Sequence, residues 1–84
     1  MLFYEVIRIK NGIIYFYSMN PFKKQLKFEI EKIEKITVFF NDFCRGIITI
    51  CTTNNDTRKI GVDISSLEHK KLMKDLVETG LNVE

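Results

Sequence analysis

The stretch that decides the fold runs Gly46-Ile47-Ile48-Thr49-Ile50-Cys51-Thr52-Thr53, then Asn54-Asn55-Asp56, then Thr57-Arg58-Lys59-Ile60-Gly61-Val62, and after it Ser65-Ser66-Leu67-Glu68-His69-Lys70-Lys71-Leu72-Met73-Lys74-Asp75-Leu76-Val77-Glu78-Thr79-Gly80. The first run is rich in β-branched residues and places Ile48, Ile50 and Thr52 on one side, as a strand over 46–53 requires. Asn54-Asn55-Asp56 supplies turn residues for a hairpin tip, and 57–62 is the returning strand. The periodicity then changes from two to about 3.6. Ser65 and Glu68 form a capping box, in which the Ser65 side chain accepts from the backbone at Glu68. Leu72, Met73, Leu76 and Val77 recur at three-to-four spacing, with Leu67 a turn earlier, while Lys70, Lys71, Lys74, Asp75 and Glu78 take the other face. Gly80 suits the left-handed position after a helix, with Leu81 as the hydrophobic contact beyond it. The pattern predicts a helix over 66–79 that buries Leu72, Met73 and Leu76 on a sheet.

Working outward toward the N-terminus, Asn11-Gly12 separates two β-rich runs. Both residues of such a turn take positive φ, so strands are expected at 2–10 and 13–18. Pro21 ends the second strand, since it has no N–H to give a ladder, and a basic loop with Lys23, Lys24 and Lys27 follows. Residues 27–40 carry two signals. Phe28-Glu29-Ile30-Glu31 and Ile36-Thr37-Val38-Phe39-Phe40 alternate like strands, whereas Ile30, Ile33 and Ile36 are spaced by three, like a helix. Two strands with a corner near Lys32 satisfy both, and a short helix over 29–35 is the alternative. Residues 41–46 form a turn. Twelve Ile, five Val and six Thr, with no Ala and no Trp, favour sheet over a helical bundle.

Composition excludes several classes of function. With 84 residues there is room for one small domain, 1–84. Hydrophobic residues at 45% and charged residues at 29% describe a globular chain, not a disordered one. No apolar run reaches the roughly 18–20 residues of a membrane helix, and the opening residues carry no secretory leader pattern. A cytoplasmic chain with Cys44 and Cys51 reduced is the expectation. A net charge of +2 demands no anionic partner.

The run of hairpin strands, the corner Phe28-Glu29-Ile30-x-x-Ile33-x-x-Ile36, the strand Gly46-Ile47-Ile48-Thr49-Ile50-x-Thr52-Thr53-Asn54, the returning strand and the helix Ser65–Gly80 together resemble the bacterial pleckstrin-homology-like (PH-like) domains. The resemblance spans most of residues 13–81 and consists of a pattern of hydrophobics and turns. It implies an α+β, mostly β fold: a bent antiparallel sheet or partly open barrel with a C-terminal amphipathic helix plugging one end, in a chain of bacterial or phage origin. The family has seven strands; this chain supplies about six, so one is missing or comes from a partner. Inositide-binding members use a long basic loop between their first two strands. Here that connection is the tight Asn11-Gly12 turn, which puts phosphoinositide recognition in doubt.

Catalytic groups are scarce. His69 sits in the polar first turns of the helix, where a solvated surface imidazole is expected. Cys44 stands beside the Arg45 cation but reads as a turn thiol, and Cys51, in mid-strand, reads as a small core hydrophobe. Glu29, Glu31 and Glu34 alternate with Lys32 and Lys35 as a solvated charged rim. Neither a metal site, a cofactor nor a small-molecule substrate is evident. Phe39, Phe40 and Phe43 cluster near a turn, with two of them expected in the core. The candidate binding residues are Phe22, Lys23, Lys24 and Lys27 of the basic loop, and Arg45. The expected function is non-enzymatic: a small interaction module that binds a protein partner. Alternatives are peripheral binding to anionic lipid or nucleic acid, and a small immunity or inhibitor protein. The first strand is apolar on both faces, so a sheet edge there calls for cover; a homodimer is the simplest remedy, because it needs no further molecule, and a partner that adds a strand is the alternative.

Overall fold

The computed structural model describes residues 3–19, 24–41 and 45–84. Six strands and one α-helix follow in the order β1 (Val6–Lys10), β2 (Ile13–Tyr17), β3 (Leu26–Glu29), β4 (Ile33–Phe40), β5 (Arg45–Thr52), β6 (Thr57–Asp63) and α1 (Ser66–Glu78), with a 3-10 turn over Ile30–Lys32. The strands form two antiparallel three-stranded sheets, β1-β2-β3 and β4-β5-β6. Among the described residues no ladder joins β3 to β4, so the sheets stay open and do not close into a barrel.

Turn chemistry fixes both hairpins. Asn11 and Gly12 take φ of 53° and 75°, and Lys10 faces Ile13 across a two-residue loop. Asn55, at φ 68°, turns the β5–β6 hairpin at the expected tip. The corner near Lys32 is a single 3-10 turn and not a helix over 29–35. Beyond that turn, the helical spacing has a different cause. Ile33 faces Thr52 but Lys35 faces Cys51, so Glu34 is an extra residue in β4. That bulge brings Ile33 and Ile36 to the same buried face although they lie three apart.

The first strand is shorter than 2–10. Glu5 N–H bonds the Tyr17 carbonyl (3.2 Å), although Tyr17 is in register with Val6. Two residues against one make a bulge, and the chain before it leaves the first sheet. Tyr4 then bridges to β6: its N–H reaches the Gly61 carbonyl (2.9 Å) and its carbonyl accepts from Asp63 (3.0 Å). At the opposite edge of the second sheet, Asn82–Glu84 pairs with β4 through Ile36 and Val38.

One core joins both sheets and the helix: Tyr4, Ile14, Phe16, Ile33, Ile36, Ile48, Ile50, Ile60, Val62, Ile64, Leu72 and Leu76. Ser65 caps α1 as the sequence predicts, accepting from Glu68 N–H at 3.2 Å, and Gly80 takes φ 83°. The apolar stripe is narrower than expected. Leu72 and Leu76 are buried and Met73 half-buried, but Leu67 and Val77 are 77% and 64% exposed. The inward positions are 69, 72, 73 and 76, and on a 3.6-residue helix neither 67 nor 77 centres on that face.

Two further expectations change. His69 is half-buried and stacks on Phe40 (4.2 Å, 3° between planes), so it is a packed residue and not a freely solvated one. Cys51 lies half-exposed beside the Thr57 hydroxyl (3.8 Å) rather than in the core. Phe40 packs against the core, but Phe39 is 65% exposed; Phe43, like Cys44, lies outside the described residues.

Candidate functional site

Each sheet edge has a different fate, and the register shows how. Ile30 N–H donates to the Gly12 carbonyl (2.9 Å), in register with Ile13 opposite Glu29 and Ile14 opposite Phe28. The backbone groups of Gly12, Ile14 and Phe16 therefore point at β3, and those of Ile13, Tyr15 and Tyr17 point at β1. Their partners on β1 are Lys10, Arg8 and Val6. The N–H and C=O groups of Ile7 and Ile9 are left facing outward, and among the described residues no backbone group of another element bonds to them.

This open edge runs beside α1. Ile7, Arg8 and Ile9 form one wall of a groove, and Ile64, Glu68, Lys71, Leu72 and Asp75 form the other. The groove encloses about 130 Å³. Small-molecule sites typically occupy roughly 300–1,000 Å³, so this one holds about a single side chain. Its floor is apolar and its rim is charged. The other edges of the second sheet differ: β4 is covered at Ile36 and Val38 by the C-terminal residues, and β6 at Gly61 and Asp63 by Tyr4. The unpaired backbone edge of β1 meets a groove whose far wall combines Ile64 and Leu72 with the charged Glu68, Lys71 and Asp75.

One side chain partly occupies the edge. Arg8 bends back so that its guanidinium donates to the outward carbonyl of its own neighbour Ile7 (2.9 Å). On the outer face of the first sheet Arg8, Tyr15 and Lys27 stand in one row across three strands. Tyr15 stacks on Tyr17 (6.0 Å), and the Lys27 ammonium lies 5.8 Å from the Tyr15 ring centre.

The residues singled out in the sequence do not converge on one site. Phe22 and Lys23 lie outside the described residues. Lys24 is exposed, and its backbone carbonyl accepts from the Tyr4 hydroxyl (3.3 Å). Lys27 belongs to the outer face of the first sheet. Arg45 belongs to the second, where it pairs with Asp63 (3.6 Å) and lies 4.9 Å over the Phe3 ring. These contacts tie the N-terminal segment to β5 and β6, a structural task. The charged rim near the corner is as expected, with Lys32 on Glu29 (3.2 Å), but Lys35 turns to Glu84 (2.8 Å). That carboxylate, by hydrogen bond and by charge, raises the Lys35 pKa above its ordinary value.

Sequence reasoning missed the groove itself. It flagged the first strand as an edge in need of cover, but which backbone groups face outward depends on the pairing with β2. Among the described residues no cluster of three or more His, Cys, Asp and Glu could hold a metal, and no helix is long and apolar enough to cross a membrane. Comparison of the chain with protein-family models, with curated proteins and with solved structures finds no match.

Proposed function

We propose that the protein is a non-enzymatic interaction module that binds another protein by taking an extended segment of it as an added strand on β1. One observation carries the reading: the outward N–H and C=O groups of Ile7 and Ile9 lie open beside a groove that Leu72 of α1 and Ile64 floor and Glu68, Lys71 and Asp75 rim, while the C-terminal residues cover β4 at Ile36 and Val38 and Tyr4 covers β6 at Gly61 and Asp63. A strand added there satisfies backbone groups and drops one side chain into the groove, the two sources of affinity in strand addition. The resemblance to PH-like domains, short of one strand, agrees with this. A second copy of the chain is a poorer occupant. Its β1 would bring its own α1 alongside the same edge, where the groove admits only about one side chain.

The test is a peptide-display selection against the folded protein, followed by amide exchange on the complex. The Ile7 and Ile9 amides should gain protection. Ile9→Pro should abolish binding while leaving the fold, because Ile9 N–H faces away from β2 and proline there removes no β1–β2 bond. Binders whose footprint avoids β1, or that ignore Ile9→Pro in a variant that still melts cooperatively, would exclude strand addition. Sedimentation showing a dimer lost in the same variant would assign the edge to a second copy instead.

A second reading, adsorption to anionic lipid or nucleic acid, is supported by the row Arg8–Tyr15–Lys27 and by Lys70, Lys71 and Lys74 around the exposed Leu67. It requires binding that falls steeply with salt. Vesicle and DNA sedimentation at low salt that recover no protein would remove it.

A further inference from the structure

Strand addition on β1 leaves the sequence of the added segment open. The edge itself narrows it. We infer that the segment is one with acidic side chains on alternate positions, and that Arg8 and Lys10 select it; this rests on the strand-addition reading above.

Side chains of paired strands that face each other lie on the same side of the sheet. On β1 the inward row is Ile7 and Ile9, which pack against the core, and the outward row is Val6, Arg8 and Lys10. An added strand therefore meets two environments in alternation. Its inward side chains meet Ile7, Ile9 and Leu72, and want to be apolar. Its outward side chains stand opposite or diagonal to Arg8 and Lys10. Both cations are exposed, and no ion pair reaches either among the described residues. The acidic groups nearest in sequence and register are engaged elsewhere: Glu29 holds Lys32 at 3.2 Å, and Glu5 accepts from the Met19 N–H at 2.8 Å. Charge complementarity then favours Glu or Asp on the outward positions and disfavours Lys and Arg.

The Arg8 contact sharpens the selection. In the free protein its guanidinium occupies the Ile7 carbonyl, one of the acceptors that an added strand needs. A neutral strand must displace it without return, leaving the guanidinium to water. A strand with a carboxylate opposite Arg8 gives the guanidinium a new partner as it leaves, so the same step that opens the edge forms an ion pair. Arg8 is thus both a cover for the open edge against unspecific pairing and the group that recognises the segment meant to open it. The helix rim keeps the opposite sign nearby, with Glu68 and Asp75 around Lys71. Acidic side chains are accordingly disfavoured on the inward face, which fixes the side on which the carboxylates point.

The test uses three synthetic peptides of one design: Ser-Val-Glu-Val-Glu-Val-Ser and its counterparts with Gln or Lys in place of both Glu. Affinities for the full chain are measured by fluorescence anisotropy at low salt. Two facing pairs should make the Glu peptide bind roughly 2- to 30-fold tighter than the Gln peptide, with the Lys peptide weakest. Arg8→Ala should raise the affinity for the Gln peptide, because the carbonyl is uncovered, and shrink the Glu-to-Gln ratio. Arg8→Glu with Lys10→Glu should reverse the order in favour of the Lys peptide. Arg8 and Lys10 are exposed, so these variants keep the fold, as a thermal melt of each confirms. Equal binding of all three peptides, or a Glu-to-Gln ratio that survives Arg8→Ala with Lys10→Ala, overturns the inference and leaves strand addition standing. Binding of none of them to the parent, at concentrations where a display-selected peptide protects Ile7 and Ile9, also overturns it. If no peptide of any kind protects those amides, strand addition itself fails.

Discussion

Replacing Leu76 with Ala is the sharpest probe of how the helix joins the sheets. Leu76 is 0% exposed and belongs to the single cluster that also holds Ile14, Phe16, Ile48 and Ile50. Truncation removes the transfer free energy of its buried methyl and methylene groups and leaves a void between sheets that relax only in part. Leu→Ala changes of this kind cost about 2–5 kcal/mol. At about 0.05–0.15 kcal/mol per residue, the 84 residues have about 4–13 kcal/mol of total stability. The substitution therefore removes between a small and a dominant share of it, and lowers the midpoint of thermal unfolding by at least about 8 °C. Urea titration followed by circular dichroism measures it, with the slope against urea unchanged. Val77→Ala is the internal control. It is the next residue on the same helix but 64% exposed, so its effect should stay within about 0.5 kcal/mol. A loss below about 0.5 kcal/mol at Leu76, or equal losses at both positions, would refute the packing described.

Other outcomes follow from single contacts. Gly46→Ala should destabilise by about 1–3 kcal/mol, because Gly46 is in the middle strand of its sheet and the new methyl would collide with the Phe39 backbone oxygen; a stabilised variant in a urea titration would show that β4 and β5 can part there. The Lys35–Glu84 pair should fix the C-terminal residues on β4 only while Lys35 is charged. Its pKa is raised in the folded state above 10.5, so the contribution is fully present below about pH 10.5 and is lost as pH rises through the higher folded value. The difference in melting temperature between the parent and Glu84→Gln, measured across pH and salt, should vanish at high pH and shrink with salt; a difference that persists at high pH would assign the effect to something other than this pair. The Ile9→Pro and Arg8 variants described above test the edge in the same way, by binding instead of stability.

Much of the fold was legible along the chain because its signals are local. Asn11-Gly12 and the turn around Asn55 need positive φ, which few residues tolerate, so the hairpins declare themselves. Ser65, Glu68 and Gly80 mark the ends of a helix through hydrogen bonds that span only a turn. The change of hydrophobic period between Val62 and Leu72 separates sheet from helix. These features set the element order, the two hairpins and the mixed, mostly β class.

What the tertiary structure decided concerns partners distant in sequence. The three-residue spacing of Ile30 and Ile33 belongs to the 3-10 turn, and that of Ile33 and Ile36 to a bulge at Glu34, which exists only because β4 lies against β5. Leu67 and Val77 look like part of the apolar stripe, but the sheets meet α1 along Leu72 and Leu76. His69 looked solvated until Phe40, twenty-nine positions earlier, came to lie under it. The candidate site depends on such long-range choices most of all. Whether Ile7 and Ile9 turn their backbone groups outward or inward follows from the register with β2. Whether that edge stays open follows from where Tyr4, the C-terminal residues and α1 come to rest. A period-two pattern shows that a strand exists and which residues share a face. It carries no record of which neighbour each face and edge will meet, because that is settled by burying all the faces at once.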